Sequence, residues 1–341
     1  MKRLCLSITL IFAVLATTDC LPGPMDGSDG SKGVVITVYG FSIMKEPLEK
    51  SIFPAFAAKW KAEHGSNVSF ITSFAGSETV TNQILQGAPA DIAVLAIERD
   101  VDRLVQGGAV KNDWRARPGK GIVNTTPFII LVRKGNPKQI NDFPDLAREG
   151  VQLIHPDPTS SGGAQWSLLA IYGSELKKSE AASGGEDIPK ATQLLHEVWH
   201  NVISTPGSAR EARTSLETGY GDALVTYELE GLMMTQAGEP FQVVVPKATI
   251  FSEHPAVMID RSLTPEKRPV VEAFMNYLWS DEAQQAFVKH HFRSVTNDLF
   301  NQANPEFVKI ELPFTIELFG GWDKAYPDVI QGVFINQIKT R

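Results

Sequence analysis

The amino-acid sequence predicts an α/β fold arranged in two compact lobes. Short β-branched runs alternate with longer runs whose apolar residues recur at helical spacing, a pattern typical of strands joined by crossover helices in largely parallel sheets. The length of 341 residues suits about two domains. No internal repeat of about 20 to 50 residues is visible, which argues against solenoids and propellers.

Each element is predicted from its own pattern of apolar residues. Strands are predicted at residues 34–39, 68–72, 91–96, 128–132, 151–154, 223–226, 241–245 and 256–259. Helices are predicted at residues 47–64, 79–86, 164–172, 191–202 and 268–289. The stretch 173–189, rich in Ser, Lys, Glu and Gly, is predicted to be a solvated loop within the second lobe.

The N-terminal segment predicts export. A positive start at residues 1–3 precedes an apolar stretch at 4–16, long enough for the core of a signal peptide and too short to span a bilayer. We therefore assign residues 1–19 to a signal peptide. Residues 20–33 are rich in Gly, Pro, Ser and Asp, which predicts a flexible tether.

Cysteine content and net charge exclude several other classes. Cys5 lies within the signal peptide and Cys20 at its end, so the mature lobes are not a disulfide scaffold. Cys20 is also a candidate for the acylated first residue of a lipoprotein, although Asp19 departs from the small residue that usually precedes that cysteine. The net charge of -7 gives no basic surface for nucleic acid.

Three segments place Gly and Ser between a strand and a helix. They are residues 73–77, 160–164 and 206–209. Glycine lets the backbone approach a ligand, Ser caps the helix, and the unpaired amides with the positive end of the helix dipole attract an anion. One such turn is ordinary capping. Three at the carboxyl ends of strands predict convergence on one cleft.

The competing pattern is that of a zinc hydrolase. His196, Glu197 and His200 form a His-Glu-x-x-His sequence on a predicted helix. No third ligand motif follows it, and the apolar residues of the same segment predict a buried stripe that leaves both histidines on the wet face. No nucleophile elbow, Walker loop or dinucleotide fingerprint is present. These observations favour a non-enzymatic protein without metal or cofactor.

Longer motifs extend along the chain. They are LVRKGNPKQI at 131–140, HPDPTSSGGAQW at 155–166, GYGDAL at 219–224 and FGGW at 319–322. In these motifs the chain resembles the periplasmic sulfate- and thiosulfate-binding proteins of ABC importers, over essentially the whole mature length.

The resemblance implies a hinged, two-lobed periplasmic-binding-protein fold of type II, with the ligand in the interlobe cleft. The first lobe is expected at residues 34–122 and 252–341, and the second at 123–251. The implied function is that of a monomeric receptor outside the cytoplasmic membrane, which delivers sulfate or thiosulfate to the membrane permease of an ABC importer.

In that family neutral donors hold the anion. Ser77 matches the family serine of the first lobe, and Ser161, Gly162 and Gly163 match the Ser-Gly-Gly of the second. These four residues are therefore expected to bind the ligand.

Other site residues are implied where the sequence departs from the family pattern. Ser42 and Ile43 stand in the turn after the first strand, and Ser208 and Ala209 keep the Ser-Gly-Ala-Arg segment in altered order. Tyr227 stands where the family has an indole donor. A phenol donates or accepts a hydrogen bond, whereas an indole only donates.

Two questions stay open at this stage. Arg210 and Arg213 either add a charged donor to the site or are solvated helix residues. Sulfate is favoured because the matched residues are donors and bring no carboxylate. Tyr227 and the adjacent Glu228 keep phosphate or molybdate open as alternatives.

Overall fold

The structure is a computed structural model that describes residues 33–339. The predicted signal peptide, Cys20 and nearly all of the predicted tether lie outside these residues. Within residues 33–339, no helix combines the length and apolarity needed to cross a bilayer.

The strands form one continuous mixed sheet. They are β1 (Val34–Phe41), β2 (Val68–Ala75), β3 (Ile92–Val94), β4 (Ile122–Arg133), β5 (Leu153–Ile154), β6 (Val202–Ser204), β7 (Ala223–Tyr227), β8 (Phe241–Val244), β9 (Ala248–Met258) and β10 (Leu312–Phe314). Their order is β2-β1-β3-β9-β4-β7-β5-β6, with β10 beside β9 and β8 beside β4.

Helices alternate with these strands along the chain. They are α1 (Lys45–Pro47), α2 (Phe53–His64), α3 (Ser77–Leu85), α4 (Glu98–Gln106), α5 (Gly162–Ser183), α6 (Ile188–His200), α7 (Ala209–Glu217), α8 (Glu228–Gln236), α9 (Arg268–Tyr277), α10 (Asp281–Lys289), α11 (Asp298–Gln302) and α12 (Trp322–Ala325). A π-helical turn at Leu48–Ile52 leads into α2, and a π-helical segment, Tyr326–Lys339, follows α12.

Two long strands join the lobes. We call β1–β3 with α2–α4 the first lobe, and β5–β8 with α5–α8 the second. Strands β4 and β9 pair with each other antiparallel between the lobes, from Ile122 opposite Pro255 to Pro127 opposite Phe251. β9 continues into the first lobe beside β3, and β4 continues into the second beside β7 and β8. The chain therefore crosses to the second lobe on β4 and returns on β9.

The prediction of largely parallel sheets describes only part of this arrangement. Within the lobes, β1 pairs parallel with β2 and β3, and β5 pairs parallel with β6 and β7. Every pair that involves β4 is antiparallel, as is the pair of β3 with β9. A strand that returns from the other lobe enters the sheet in the opposite direction.

Two element predictions are wrong. The expected loop at 173–189 is helical as far as Ser183, because Glu, Lys and Ala are good helix formers and Gly173 is a packing position in α5. A Cβ on Gly173 would lie 2.6 Å from the ring of Phe314. The expected single helix at 268–289 is two helices, since the Ser280 hydroxyl accepts from the Ala283 amide at 3.3 Å and starts α10 anew.

Candidate functional site

The N-terminal turns of α3, α5 and α7 meet between the lobes. A Cβ built on Gly76 would lie 2.2 Å from the Ser160 carbonyl oxygen and 2.7 Å from that of Gly207. A Cβ on Gly162 would lie 3.2 Å from the Ser77 Cβ. Glycine at these positions lets the backbones of the two lobes approach this closely. The structure thus brings together the three Gly/Ser turns singled out in the sequence.

The Ser77 hydroxyl is engaged within its own lobe. Its Oγ donates to Asp100 Oδ2 at 2.5 Å and accepts from the Ala96 amide at 3.0 Å. Burial, followed by the charge of Glu78, raises the pKa of Asp100 to about 7. Because Ser77 is the first residue of α3, its own amide has no acceptor within the helix. The hydroxyl of Ser77 is thus used within its own lobe, and its amide is left without an acceptor in the helix.

The Ser161 hydroxyl remains free to donate. Ser161 is the N-cap of α5, and its buried Oγ accepts from the Ala164 amide at 3.3 Å. An oxygen that accepts a hydrogen bond keeps its own proton available for a ligand. Gly162 and Gly163 follow as the first two residues of α5, so their amides also lack acceptors within the helix.

Tyr227 ends β7 with its hydroxyl against the same turn. A Cβ on Gly163 would lie 2.6 Å from Tyr227 Oη. The residue is 1% exposed, and its hydroxyl finds no hydrogen-bond partner among the described residues. Burial, followed by the charge of Glu230, holds the pKa of Tyr227 well above its usual value, so the phenol stays protonated. Its ring packs against Phe41 and Phe128 at centroid distances of 6.2 and 4.6 Å.

The remaining predicted residues lie at the edge of this meeting point. Ser208 is the N-cap of α7 and accepts from the Glu211 amide at 3.2 Å, which places Ala209 at the first position of the helix. Ser42 begins the 3-10 turn after β1 and lines, with Ser208, a cavity of about 460 Å³. The side chain of Ile43 is fully buried in the core.

Arg210 and Arg213 are neither free donors nor solvated residues. The Arg210 guanidinium binds both oxygens of Glu46 across the cleft, at 2.5 and 2.8 Å. It also contacts Glu230 Oε1 at 2.9 Å, and Arg213 binds Glu230 Oε2 at 2.8 Å. Burial opposes the charge of Glu46, but the hydrogen bond and charge of Arg210 outweigh it and lower the pKa of Glu46. Both arginines are thus neutralised by carboxylates.

Further contacts hold the lobes together. Trp166 Nε1 of the second lobe donates to the Ala96 carbonyl of the first at 2.6 Å. Gln165 Nε2 donates to Glu78 Oε1 at 3.0 Å. With the Glu46 ion pair, these contacts describe a closed cleft. Glu228, which kept phosphate open as an alternative, is bound by Arg293 at 2.9 Å.

Sequence reasoning missed these partners. Asp100 lies 23 residues from Ser77, and Glu46 lies 164 residues from Arg210. Nothing in the local sequence around either residue indicates which distant side chain it binds.

The His-Glu-x-x-His sequence lies away from the cleft. His196 and His200 are exposed on α6, and Glu197 accepts from Gln193 at 2.8 Å. Across residues 33–339, no group of three or more His, Cys, Asp or Glu side chains is arranged to hold a metal ion. The structure therefore gives the two histidines no third ligand.

Two α/β lobes, with the N-termini of α3, α5 and α7 meeting between them, define a solute-binding protein with a periplasmic-binding-protein fold. Residues 36–293 match the family of bacterial extracellular solute-binding proteins, and the chain belongs to that family.

Within that family the chain belongs to the sulfate- and thiosulfate-binding proteins. It is 35% identical to the sulfate-binding protein of Salmonella typhimurium over 294 residues, 84% of this chain and 88% of that protein. It is 31% identical to the thiosulfate-binding protein of Pseudomonas aeruginosa over 288 residues, 83% and 85% of the two chains.

A solved structure supports the same assignment. The sulfate-binding protein SubI from Mycobacterium tuberculosis matches with a TM-score of 0.78 and 32% identity, over 86% of this chain and 99% of that one. The predicted family and fold class are confirmed. Because the matched relatives are binding proteins, the prediction that the chain is not an enzyme is confirmed as well.

Proposed function

We propose that this chain is the receptor of an ABC importer for sulfate or thiosulfate. It captures the anion between its lobes and presents it to the membrane permease. The observation that carries the proposal is the meeting of three helix N-termini at one buried point. The names of the matched relatives supply the ligand class.

The donors suit a fully ionised oxyanion. The groups proposed to hold the ligand here are hydrogen-bond donors. They are the amides of Ser77, Gly162, Gly163 and Ala209 and the hydroxyl of Ser161. Each helix N-terminus adds an interaction of about 0.3–1 kcal/mol with an anion when exposed, and up to about 2 kcal/mol when partly buried. Sulfate near neutral pH has only acceptors, so every one of these groups finds a partner.

Closure explains how a neutral site holds a dianion. We assign residues 34–122 and 252–341 to one rigid lobe and 123–251 to the other, with bending at β4 and β9. In an open form Ser77 and Gly162 face water. Closing the lobes removes that water and strengthens each hydrogen bond to the ligand. The turn at Ser42 and Ile43 then adds a backbone donor from the first lobe.

The proposal also includes the cellular location of the protein. Residues 1–19 act as the signal peptide, and the mature monomer lies outside the cytoplasmic membrane. Cys20 decides between two forms. Mass spectrometry of the mature N-terminus distinguishes an acylated Cys20, which tethers the receptor to the membrane, from an unmodified terminus, which leaves it free. An intact Met1 in native cells would contradict both.

Thermal denaturation with added anions tests the ligand class. A ligand that binds only the folded state stabilises it by RT ln(1 + [L]/Kd), so sulfate or thiosulfate at about 100 times Kd adds roughly 2.7 kcal/mol. Chloride at equal ionic strength is the control and should give a much smaller shift. If neither sulfate nor thiosulfate raises the melting temperature above the chloride control, the proposed function is wrong.

A further inference from the structure

We propose that Tyr227 extends the ligands of this cleft to monoprotonated tetrahedral oxyanions, such as monohydrogen phosphate and monohydrogen arsenate. The inference rests on the proposed function, because it concerns the same binding site. It adds a second class of ligand, which differs from sulfate in carrying one proton that needs an acceptor.

The position of the phenol carries the argument. Tyr227 is 1% exposed, and its hydroxyl lies at the Gly163 turn, where a Cβ on that glycine would be 2.6 Å away. No described residue hydrogen-bonds to that hydroxyl. A buried hydroxyl without a partner is costly, which points to a ligand oxygen as its partner in the loaded protein.

The oxygens of Ser77, Ser161 and Glu230 already have partners among the described residues. Ser77 Oγ already donates to Asp100 and accepts from an amide. Ser161 Oγ already accepts from the Ala164 amide. The carboxylate of Glu230 is covered by two arginines. The oxygen of Tyr227 keeps its lone pairs free.

A phenol can form one hydrogen bond with a fully ionised oxyanion and one with a monoprotonated oxyanion. To sulfate it donates its proton. To a monoprotonated oxyanion it offers a lone pair, and because its own proton has no partner among the described residues, accepting breaks no bond seen in the structure. An indole N–H in this place has no lone pair, so it could donate only to an unprotonated oxygen and would leave the ligand O–H without an acceptor from this residue.

Two pairs of anions separate the effect of the proton from that of the central atom. Isothermal titration in mildly alkaline buffer compares selenate and sulfate, which are fully ionised, with arsenate and phosphate, which carry one proton. The wild-type protein should bind members of both pairs. Tyr227→Phe should weaken both pairs by a similar factor, on the order of tenfold, because each loses one hydrogen bond to a charged group.

Tyr227→Trp is the selective variant. It should keep selenate and sulfate while weakening arsenate and phosphate by roughly tenfold or more, so that the ratio of the two dissociation constants changes. Melting of each variant without ligand checks that it folds. If the Trp variant does not fold, Tyr227→Phe still decides whether the phenol touches the ligand.

Three results are distinguishable. If the wild type binds sulfate and selenate but neither arsenate nor phosphate at millimolar concentration, the inference is overturned and the proposed function stands. Unchanged dissociation constants in Tyr227→Phe overturn it as well. If none of the four anions nor thiosulfate binds, the proposed function itself fails.

Discussion

Replacing Gly76 with alanine should block closure of the lobes without disturbing either lobe. The backbone of Gly76 has φ -61° and ψ 144°, an extended conformation that alanine adopts freely. The added methyl group would point at the other lobe, 2.2 Å from the Ser160 carbonyl oxygen and 2.7 Å from that of Gly207.

The required displacement follows from these distances. Ordinary contact with a Cβ begins at 3.4 Å, so the lobes must separate by 3.4 minus 2.2, or 1.2 Å, at this point. The same displacement along the Trp166 to Ala96 hydrogen bond would lengthen it from 2.6 to 3.8 Å, beyond hydrogen-bond range. When the lobes stay apart, the bound anion cannot reach the donors of both lobes at once. If it loses two hydrogen bonds, the cost is about 3–6 kcal/mol, which weakens sulfate binding by at least about a hundredfold.

Isothermal titration with sulfate measures the loss, and melting without ligand measures stability. Gly185→Ala is the matched control, because Gly185 is exposed and a Cβ there would meet nothing within 4 Å. We expect Gly76→Ala to melt within a few degrees of the wild type and of Gly185→Ala while losing sulfate affinity. Wild-type affinity in Gly76→Ala would refute the closed geometry on which this reasoning depends.

The other predictions concern the hydroxyls, the buried carboxyl and the histidine pair. Ser161→Ala should weaken sulfate binding about tenfold in titrations and lower the melting temperature modestly, because α5 also loses its N-cap. Ser77→Ala should chiefly lower the melting temperature, because Asp100 loses its buried partner. Since the pKa of Asp100 is raised from 3.8 to about 7, the folded protein keeps a proton that the unfolded chain releases. The stability that the buried Asp100 proton contributes is complete below about pH 4 and is lost as the pH rises through about 7. Denaturant titrations across this pH range should show the loss in the wild type and not in Asp100→Asn. An identical pH profile in the variant would contradict this assignment to Asp100. His196→Ala with His200→Ala should change neither sulfate affinity nor metal content by mass spectrometry, and a stoichiometric zinc ion lost in that variant would revive the hydrolase hypothesis.

The parts of the site that could be predicted from the sequence are those made by neighbouring residues. The succession of Ser161, two glycines and a helical run predicts an N-cap followed by free amides, because capping depends on residues one to three positions apart. The pairing of Glu46 with Arg210 could not be predicted, since the two residues meet only through the closed arrangement of the lobes.

The fold shows the same division. Strands with β-branched residues were found from local pattern, whereas the helical continuation through Gly173 was not. Gly173 begins a stretch whose Ser, Lys, Glu and Gly content predicts a loop, yet in the structure it packs against the ring of Phe314. The helix-forming residues around Gly173 and its packing against a distant aromatic residue together account for the helix.

A crystal structure of the mature protein with sulfate tests the central claim most directly. The account predicts one sulfate per chain between the lobes, within hydrogen-bond distance of the amides of Ser77, Gly162 and Gly163 and of the hydroxyls of Ser161 and Tyr227. Arg210 should remain bound to Glu46. A sulfate held instead by the guanidinium of Arg210, or bound outside the cleft, would contradict the account.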